Sequence, residues 1–236
     1  MKLRIVGCSP AWPNPGGVQS GYLVEEGGRR LLLDCGPGVL ARLREGEGWP
    51  RVDAIAITHL HLDHWGDLVP WAYGAMYGAG RVAPVPELWL PPGASDDLRG
   101  LARIGADAVL DTFEVHEYNG GPFRVAGFEV TAMRTAHYEE TSFAFRVTGG
   151  DATLAYSADS APSPSLAELA RDADVFLCEA TLAQPEALDD RGHMTADAAI
   201  EAFNASGARR LLVIHRPDEL PLPEGVERAY DGLELE

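Results

Sequence analysis

The segment Thr58-His59-Leu60-His61-Leu62-Asp63-His64 constrains this chain more than any other, because three imidazoles and a carboxylate fall within six residues. It follows the apolar run Ala54–Ile57, which reads as a buried strand, so the cluster sits at a strand's C-terminal end. His59 and His61 are two apart and point the same way from an extended segment, while Asp63 and His64 turn away and supply a second direction. Imidazoles this close repel one another when charged. Imidazole and carboxylate together are good ligands for Zn²⁺ and similar ions, the Asp offsetting metal charge. The plainer alternative, surface histidines at a turn, does not account for so dense a cluster.

Around this segment, short β-like runs recur. Lys2–Cys8, Gly21–Glu25, Arg30–Cys35, Asp53–Thr58, Glu87–Leu90, Phe113–Tyr118, Phe128–Arg134, Ser142–Val147, Thr153–Ser157, Val175–Cys178 and Leu211–His215 read as strands. Helical patterns lie at Val39–Glu45, Asp67–Tyr77, Ser95–Ile104, Ser165–Arg171 and Ala196–Ser206, the last with Thr195 as N-cap and Gly207 as its stop. Ser9–Ser20, with its Pro and Gly residues, is a long loop. No linker-like tract or residue-level repeat divides the 236 residues, so 1–236 reads as one domain. The pattern predicts an α/β fold with helices outside packed sheets.

Composition closes off several classes. With 46% apolar residues the chain has material for a real core. No apolar run approaches the ~18–20 residues of a membrane helix, and Met1–Val6 lacks the apolar h-region of a signal peptide. Cys8, Cys35 and Cys178 are odd in number and far apart, which fits buried free thiols in a reducing cytoplasm rather than disulfides. A net charge of −17 with scattered Lys and Arg disfavours nucleic acid as a partner.

His59-x-His61-x-Asp63-His64 followed by Gly66 resembles the signature of the metallo-β-lactamase superfamily, and the resemblance covers nearly the whole chain. It implies an αββα sandwich: two mixed β-sheets with helices on both outer faces. It also implies that His59, His61 and His137 hold a first metal, that Asp63, His64 and His215 hold a second, and that Asp159 bridges them. The residues agree with this placement. His137, Asp159 and His215 each follow a strand-like run, so loops from one edge of two sheets can converge. His116 lies mid-strand, matches no family position, and reads as structural.

Three further segments narrow the branch. Ala155-Tyr156-Ser157-Ala158-Asp159-Ser160 resembles the Ser-Gly-Asp-Thr segment of ribonuclease Z-like phosphodiesterases, with Ala158 where Gly is usual. Leu177-Cys178-Glu179-Ala180-Thr181 resembles their Glu-Ala-Thr segment, and Gly192-His193-Met194-Thr195 resembles their His-containing motif. The resemblance makes His193 the group that assists the departing oxygen and Glu179 its orienting carboxylate, while a helix-entry histidine and a solvated acid are the plainer readings of the two. Between His137 and Asp159 the chain has room for only one hairpin. The long tRNA-clamping arm of the tRNA-processing members is absent, and the chain resembles the compact members, some of which act on cyclic nucleotides.

The resulting expectation is a cytoplasmic, dinuclear metal-dependent hydrolase, foremost a phosphodiesterase on a small-molecule substrate such as a cyclic nucleotide. Two divalent ions, Zn²⁺ by ligand type with Mn²⁺ or Fe²⁺ as alternatives, would share and activate a bridging hydroxide ~3.5–4 Å metal to metal. Asp63 would ligate first and share in proton handling. A thioesterase or lactonase on the same ions is the alternative reading, and an RNA-processing nuclease a lesser one. A catalytically dead scaffold or binding module is disfavoured because every ligand position is filled, and a diiron redox protein because His61 stands where that branch has Glu. Trp12, Trp65, Trp71, Tyr73 and Tyr77 read either as packing residues or as a stacking wall for a base. A homodimer is the default expectation for a soluble enzyme.

Overall fold

The computed structural model describes residues 1–45, 48–78, 84–186 and 191–236. Leu31-Leu32-Leu33 shows why its layers form. Successive strand side chains point to opposite faces, so Leu31 and Leu33 join the core between the sheets while Leu32 joins the core beneath the helices. All three are fully buried, each contributing about 1.5–3 kcal/mol relative to exposure. Ala54–Ile57 and Leu211–Ile214 divide between faces in the same way, which is why these runs are continuously apolar.

In chain order the first half holds β1 (Lys2–Gly7), β2 (Gly21–Glu26), β3 (Arg29–Leu33), α1 (Val39–Leu43), β4 (Ala54–Ala56), α2 (Leu62–Trp65), α3 (Leu68–Tyr77), β5 (Glu87–Leu90), α4 (Ala94–Gly100), α5 (Asp107–Thr112) and β6 (Glu114–Glu117). The second holds β7 (Gly121–Val125), β8 (Phe128–His137), β9 (Glu140–Gly149), β10 (Ala152–Tyr156), α6 (Pro164–Leu169), β11 (Val175–Glu179), α7 (Ala196–Ser206), β12 (Leu211–Ile214) and β13 (Glu234–Leu235). The first sheet runs β13-β1-β2-β3-β4-β5-β6 and the second β12-β11-β10-β9-β8-β7. Both are mixed: β3 to β6 pair in parallel, as do β10 to β12, and the other pairs are antiparallel. One core lies between the sheets, a second under α1, α3, α4 and α5, and a third under α6 and α7. This is the expected αββα sandwich.

Several boundaries differ from expectation. The helix read at Ser95–Ile104 breaks after Gly100 and resumes as a 3-10 turn at Ala102–Ile104. β8 runs on through Thr135-Ala136 to His137, so His137 ends a strand rather than following one. Gly121–Val125, not among the expected strands, is the edge strand of the second sheet, where Pro is tolerated because an outer N–H has no partner to lose. α2, α5 and β13 carry no readable period because they are so short. α7 keeps its expected bounds, with Thr195 Oγ1 accepting from Ala198 N at 3.3 Å and Gly207 left-handed at φ 71°. The three cysteines are buried and free. No helix among the described residues is long and apolar enough to cross a membrane.

Candidate metal centre

β4 delivers the histidine segment to the edge where both sheets end. His61 is extended (φ −66°, ψ 138°) and begins α2, so His59 and His61 leave an extended backbone whereas Asp63 and His64 lie on a helical turn. Gly36 makes room for that turn: a Cβ there would sit 1.9 Å from the Asp63 carbonyl oxygen. Cys35 N also donates to His64 O at 2.6 Å, which fastens the end of β3 beneath it.

Two groups of side chains converge. His59, His61, His137 and Asp159 form one, and Asp63, His64, Asp159 and His215 the other, with the potential ligand atoms of each group within 4.8 Å of one another. Asp159 belongs to both. Its Oδ1 lies 3.4 Å from His64 Nε2, and its Oδ2 lies 3.9, 3.8 and 3.5 Å from Nε2 of His59, His137 and His215. Asp63 Oδ2 lies 3.1 Å from His215 Nε2 and 3.4 Å from His64 Nε2. All seven residues predicted to ligate metal are thus brought together.

The hydrogen bonds behind the rings assign their tautomers. His64 Nδ1 donates to Asp34 Oδ2 at 2.8 Å, and His137 Nδ1 to Gly192 O at 2.7 Å. His59 Nδ1 donates to Thr58 Oγ1 at 3.0 Å, which itself donates to Asp34 Oδ2. His215 Nδ1 donates to Thr181 Oγ1 at 2.8 Å, which donates to Glu179 Oε2. Each arrangement leaves an Nε2 lone pair facing the centre. There His61 Nδ1 is 3.2 Å from His59 Nε2 and 2.8 Å from His137 Nε2, so a single proton on His61 can serve only one of the two lone pairs. His64 Nε2 is buried with no hydrogen-bond partner, beside two carboxylates. Lone pairs converging on one another and on carboxylates call for a cation, so the residues fit divalent metal ions.

The electrostatics say the same. Burial, then the charge of His64, lowers the pKa of His59 well below its ordinary value, and burial lowers His137. Burial also opposes charge on His64, but Asp159, Asp34 and Asp63 override it and raise its pKa well above the ordinary value. Burial acts against the Asp63 and Asp159 carboxylates, yet the surrounding histidines hold both well below the usual range.

Glu179 and His193 meet as expected, His193 Nδ1 donating to Glu179 Oε1 at 2.9 Å. Burial disfavours the His193 imidazolium, but Glu179, Asp159 and Glu186 outweigh it and raise the pKa to about 9. Glu179, His193 and His215 form a third cluster, but the Glu179 oxygens already accept from Ser160 N, Thr181 N, Thr181 Oγ1 and His193. Both Glu179 oxygens are thus occupied by hydrogen bonds. His193 faces a cleft of about 400 Å³ lined also by Ala11, Gln19, His61, Leu62, Asp63 and Asp159. Within the Ser9–Ser20 loop, Asn14 Nδ2 donates to Arg216 O at 3.0 Å and Val18 N donates to Asp231 Oδ2 at 2.8 Å, anchoring that wall of the cleft.

The aromatic residues divide. Trp65 and Trp71 are buried in the core under the helices. Tyr73 and Tyr77 stack on each other at 6.1 Å, exposed on α3. Neither pair lines the cleft, and nor does the exposed Trp12, although its neighbour Ala11 does. His116 stacks on Trp89 at 4.7 Å, in no ligand cluster.

Asp34 was not foreseen. It is fully buried and left-handed (φ 59°), and it accepts from Thr58 N, Thr58 Oγ1, His64 Nδ1 and Tyr156 Oη at 2.6–2.9 Å. An acid closing the apolar run Leu31–Leu33 was the available signal. Tyr138, Ala158 and His215 are also left-handed, at φ 50°, 49° and 50°, so backbone strain gathers around the centre. It also accounts for glycine being usual where Ala158 stands.

A family model described as "Beta-lactamase superfamily domain" matches residues 29–216. The protein named "Probable metallo-hydrolase YhfI" of Bacillus subtilis (strain 168) is 29% identical over 227 residues, 92% of this chain and 87% of the relative. A ribonuclease Z of Salinibacter ruber (strain DSM 13855 / M31) is 30% identical, covering 97% of this chain and 89% of its own length. The crystal structure of the metallo-β-lactamase fold protein YhfI from Bacillus subtilis superposes with a TM-score of 0.84 at 24% identity, covering 100% of this chain and 99% of that one. With its signature, its sheets and its centre in agreement, the chain belongs to the β-lactamase superfamily.

Proposed function

We propose that the chain is a dinuclear metal-dependent hydrolase, and specifically a phosphodiesterase for a small diester. The observation that carries the reading is the Glu179–His193 pair, which presents a free His193 Nε2 to the cleft beside two ligand groups that share Asp159. His59, His61 and His137 would hold one ion, Asp63, His64 and His215 the other, and Asp159 both. Bound there, divalent ions supply Lewis acidity that activates water and neutralises charge on phosphorus-bound oxygens. Zn²⁺ suits the His and Asp donors.

The chain's own residues do the rest. Asp34, Thr58, Thr181 and Gly192 O hold the ligand rings in one tautomer. Glu179 fixes the His193 ring, and His193 gives a proton to the leaving oxygen from Nε2. Asp63, held as a carboxylate by burial-resistant contacts with His64 and His215, serves ligation first.

A small substrate is favoured over RNA. Among the described residues no Lys or Arg lines the cleft, whereas phosphate tracking needs clustered cations. The ribonuclease Z alignment extends over 290 residues, more than the 236 present here, so that relative carries insertions. Here only Tyr138 and Glu139 join β8 to β9. A cyclic nucleotide is the first candidate substrate. Residues 1–236 are read as one domain, acting in the cytoplasm as a homodimer.

The test is hydrolysis of bis(p-nitrophenyl) phosphate by metal-replete protein with a chelated control. Chelator-sensitive turnover is the expected result. No turnover at two bound equivalents of metal refutes the phosphodiesterase reading and shifts the search to thioesters and lactones.

A further inference from the structure

The loop bearing His193 is fastened from outside the centre by two residues that no ligand position requires. Tyr138 opens the β8–β9 turn in a left-handed conformation. Its ring packs against Gly192, where an added Cβ would come within 2.1 Å of Tyr138 Cε2, and meets the His193 ring edge-on at 5.6 Å. The Tyr138 hydroxyl donates to Glu186 Oε1 at 2.6 Å, and Glu186 Oε2 accepts from Gly192 N at 2.9 Å. The His193 amide favours the same carboxylate. Gly192 O in turn accepts from His137 Nδ1.

We propose that Tyr138 and Glu186 form a latch that positions His193, the hydroxyl holding the carboxylate and the carboxylate holding the Gly192–His193 backbone. Glu179 fixes the ring of His193 and the latch fixes its backbone, so the Nε2 proton is placed from two independent directions. Tyr138 is 42% exposed, and an exposed hydrogen bond adds little to global stability. Its consequence is therefore local. For what His193 does, the latch rests on the phosphodiesterase reading; the fastening itself does not.

The experiment compares metal-loaded wild type, Tyr138→Phe and Glu186→Gln. Tyr138→Phe keeps the ring on Gly192 and removes only the donor. Amide hydrogen exchange is expected to rise about ten-fold at Gly192 and His193 in both variants, with metal content retained. kcat on a cyclic nucleotide, whose alkoxide needs a proton, is expected to fall about ten-fold more than kcat on bis(p-nitrophenyl) phosphate, with KM steady. Unchanged exchange overturns the latch. Equal losses on the two diesters, or loss of metal, overturn its action through His193. If wild type turns over neither diester, the phosphodiesterase reading fails while the exchange comparison still decides the latch.

Discussion

Behind the candidate ligands each sheet places one buried carboxylate, Asp34 in the first and Glu179 in the second, and the two differ in what they hold. Asp34, at the end of β3, accepts four hydrogen bonds, and through Thr58 and directly it sets the rings of His59 and His64. Glu179, at the end of β11, also accepts four, setting His215 through Thr181, the backbone beside Asp159 through Ser160 N, and His193 directly. Everything Asp34 touches is sealed from solvent. Glu179 reaches a side chain that remains 14% exposed and faces the cleft. The first carboxylate thus supports sealed candidate ligands alone, and the second joins a candidate ligand to a side chain that faces the cleft.

Breaking that comparison should begin with Asp34. Asp34→Asn sets an amide NH2 against donors whichever way it turns, Thr58 N on one side or Thr58 Oγ1, His64 and Tyr156 on the other, and is expected to cost about 3 kcal/mol of stability. Metal content by elemental analysis should fall with it, and a variant that keeps two tightly bound ions would show that the rings need no such support. His193→Ala is the opposite case. Metal should stay bound while the rate drops by roughly 10²–10⁴ on substrates with poor leaving groups, and full activity would remove His193 from the mechanism. Glu179→Gln should fall between, losing about 10–100-fold in rate, with some loss of metal through His215. The smallest effect is expected at Trp12. It is exposed beside Ala11 but does not line the cleft, so Trp12→Ala should leave KM within about two-fold, the scale of an uninvolved surface change. A larger rise would mean that the loop folds over substrate.

The legible part of this protein is the part encoded at short range. His59 to His64 announce themselves because six adjacent residues define two directions, and the structure keeps both, one from extended backbone and one from α2. Continuous apolar runs such as Leu31–Leu33 betray strands buried on both faces. Gly121–Val125 escaped because its Gly and Pro mimic a turn, and only its place at the sheet edge makes them acceptable. Asp34 escaped for a different reason. It lies inside the strand-like run Arg30–Cys35, where a lone acid carries no signal of its role until Thr58, His64 and Tyr156, far off in the chain, close around it.

By itself, then, the sequence determined the layered fold and the kinds of donor at its strand ends, because strand period and ligand chemistry are local properties. Tertiary structure alone decided which nitrogen of each ring faces inward, that both Glu179 oxygens are taken up by hydrogen bonds, and that Tyr138 reaches Glu186. Those outcomes depend on partners tens of residues apart meeting within hydrogen-bonding distance, and no local pattern specifies that meeting.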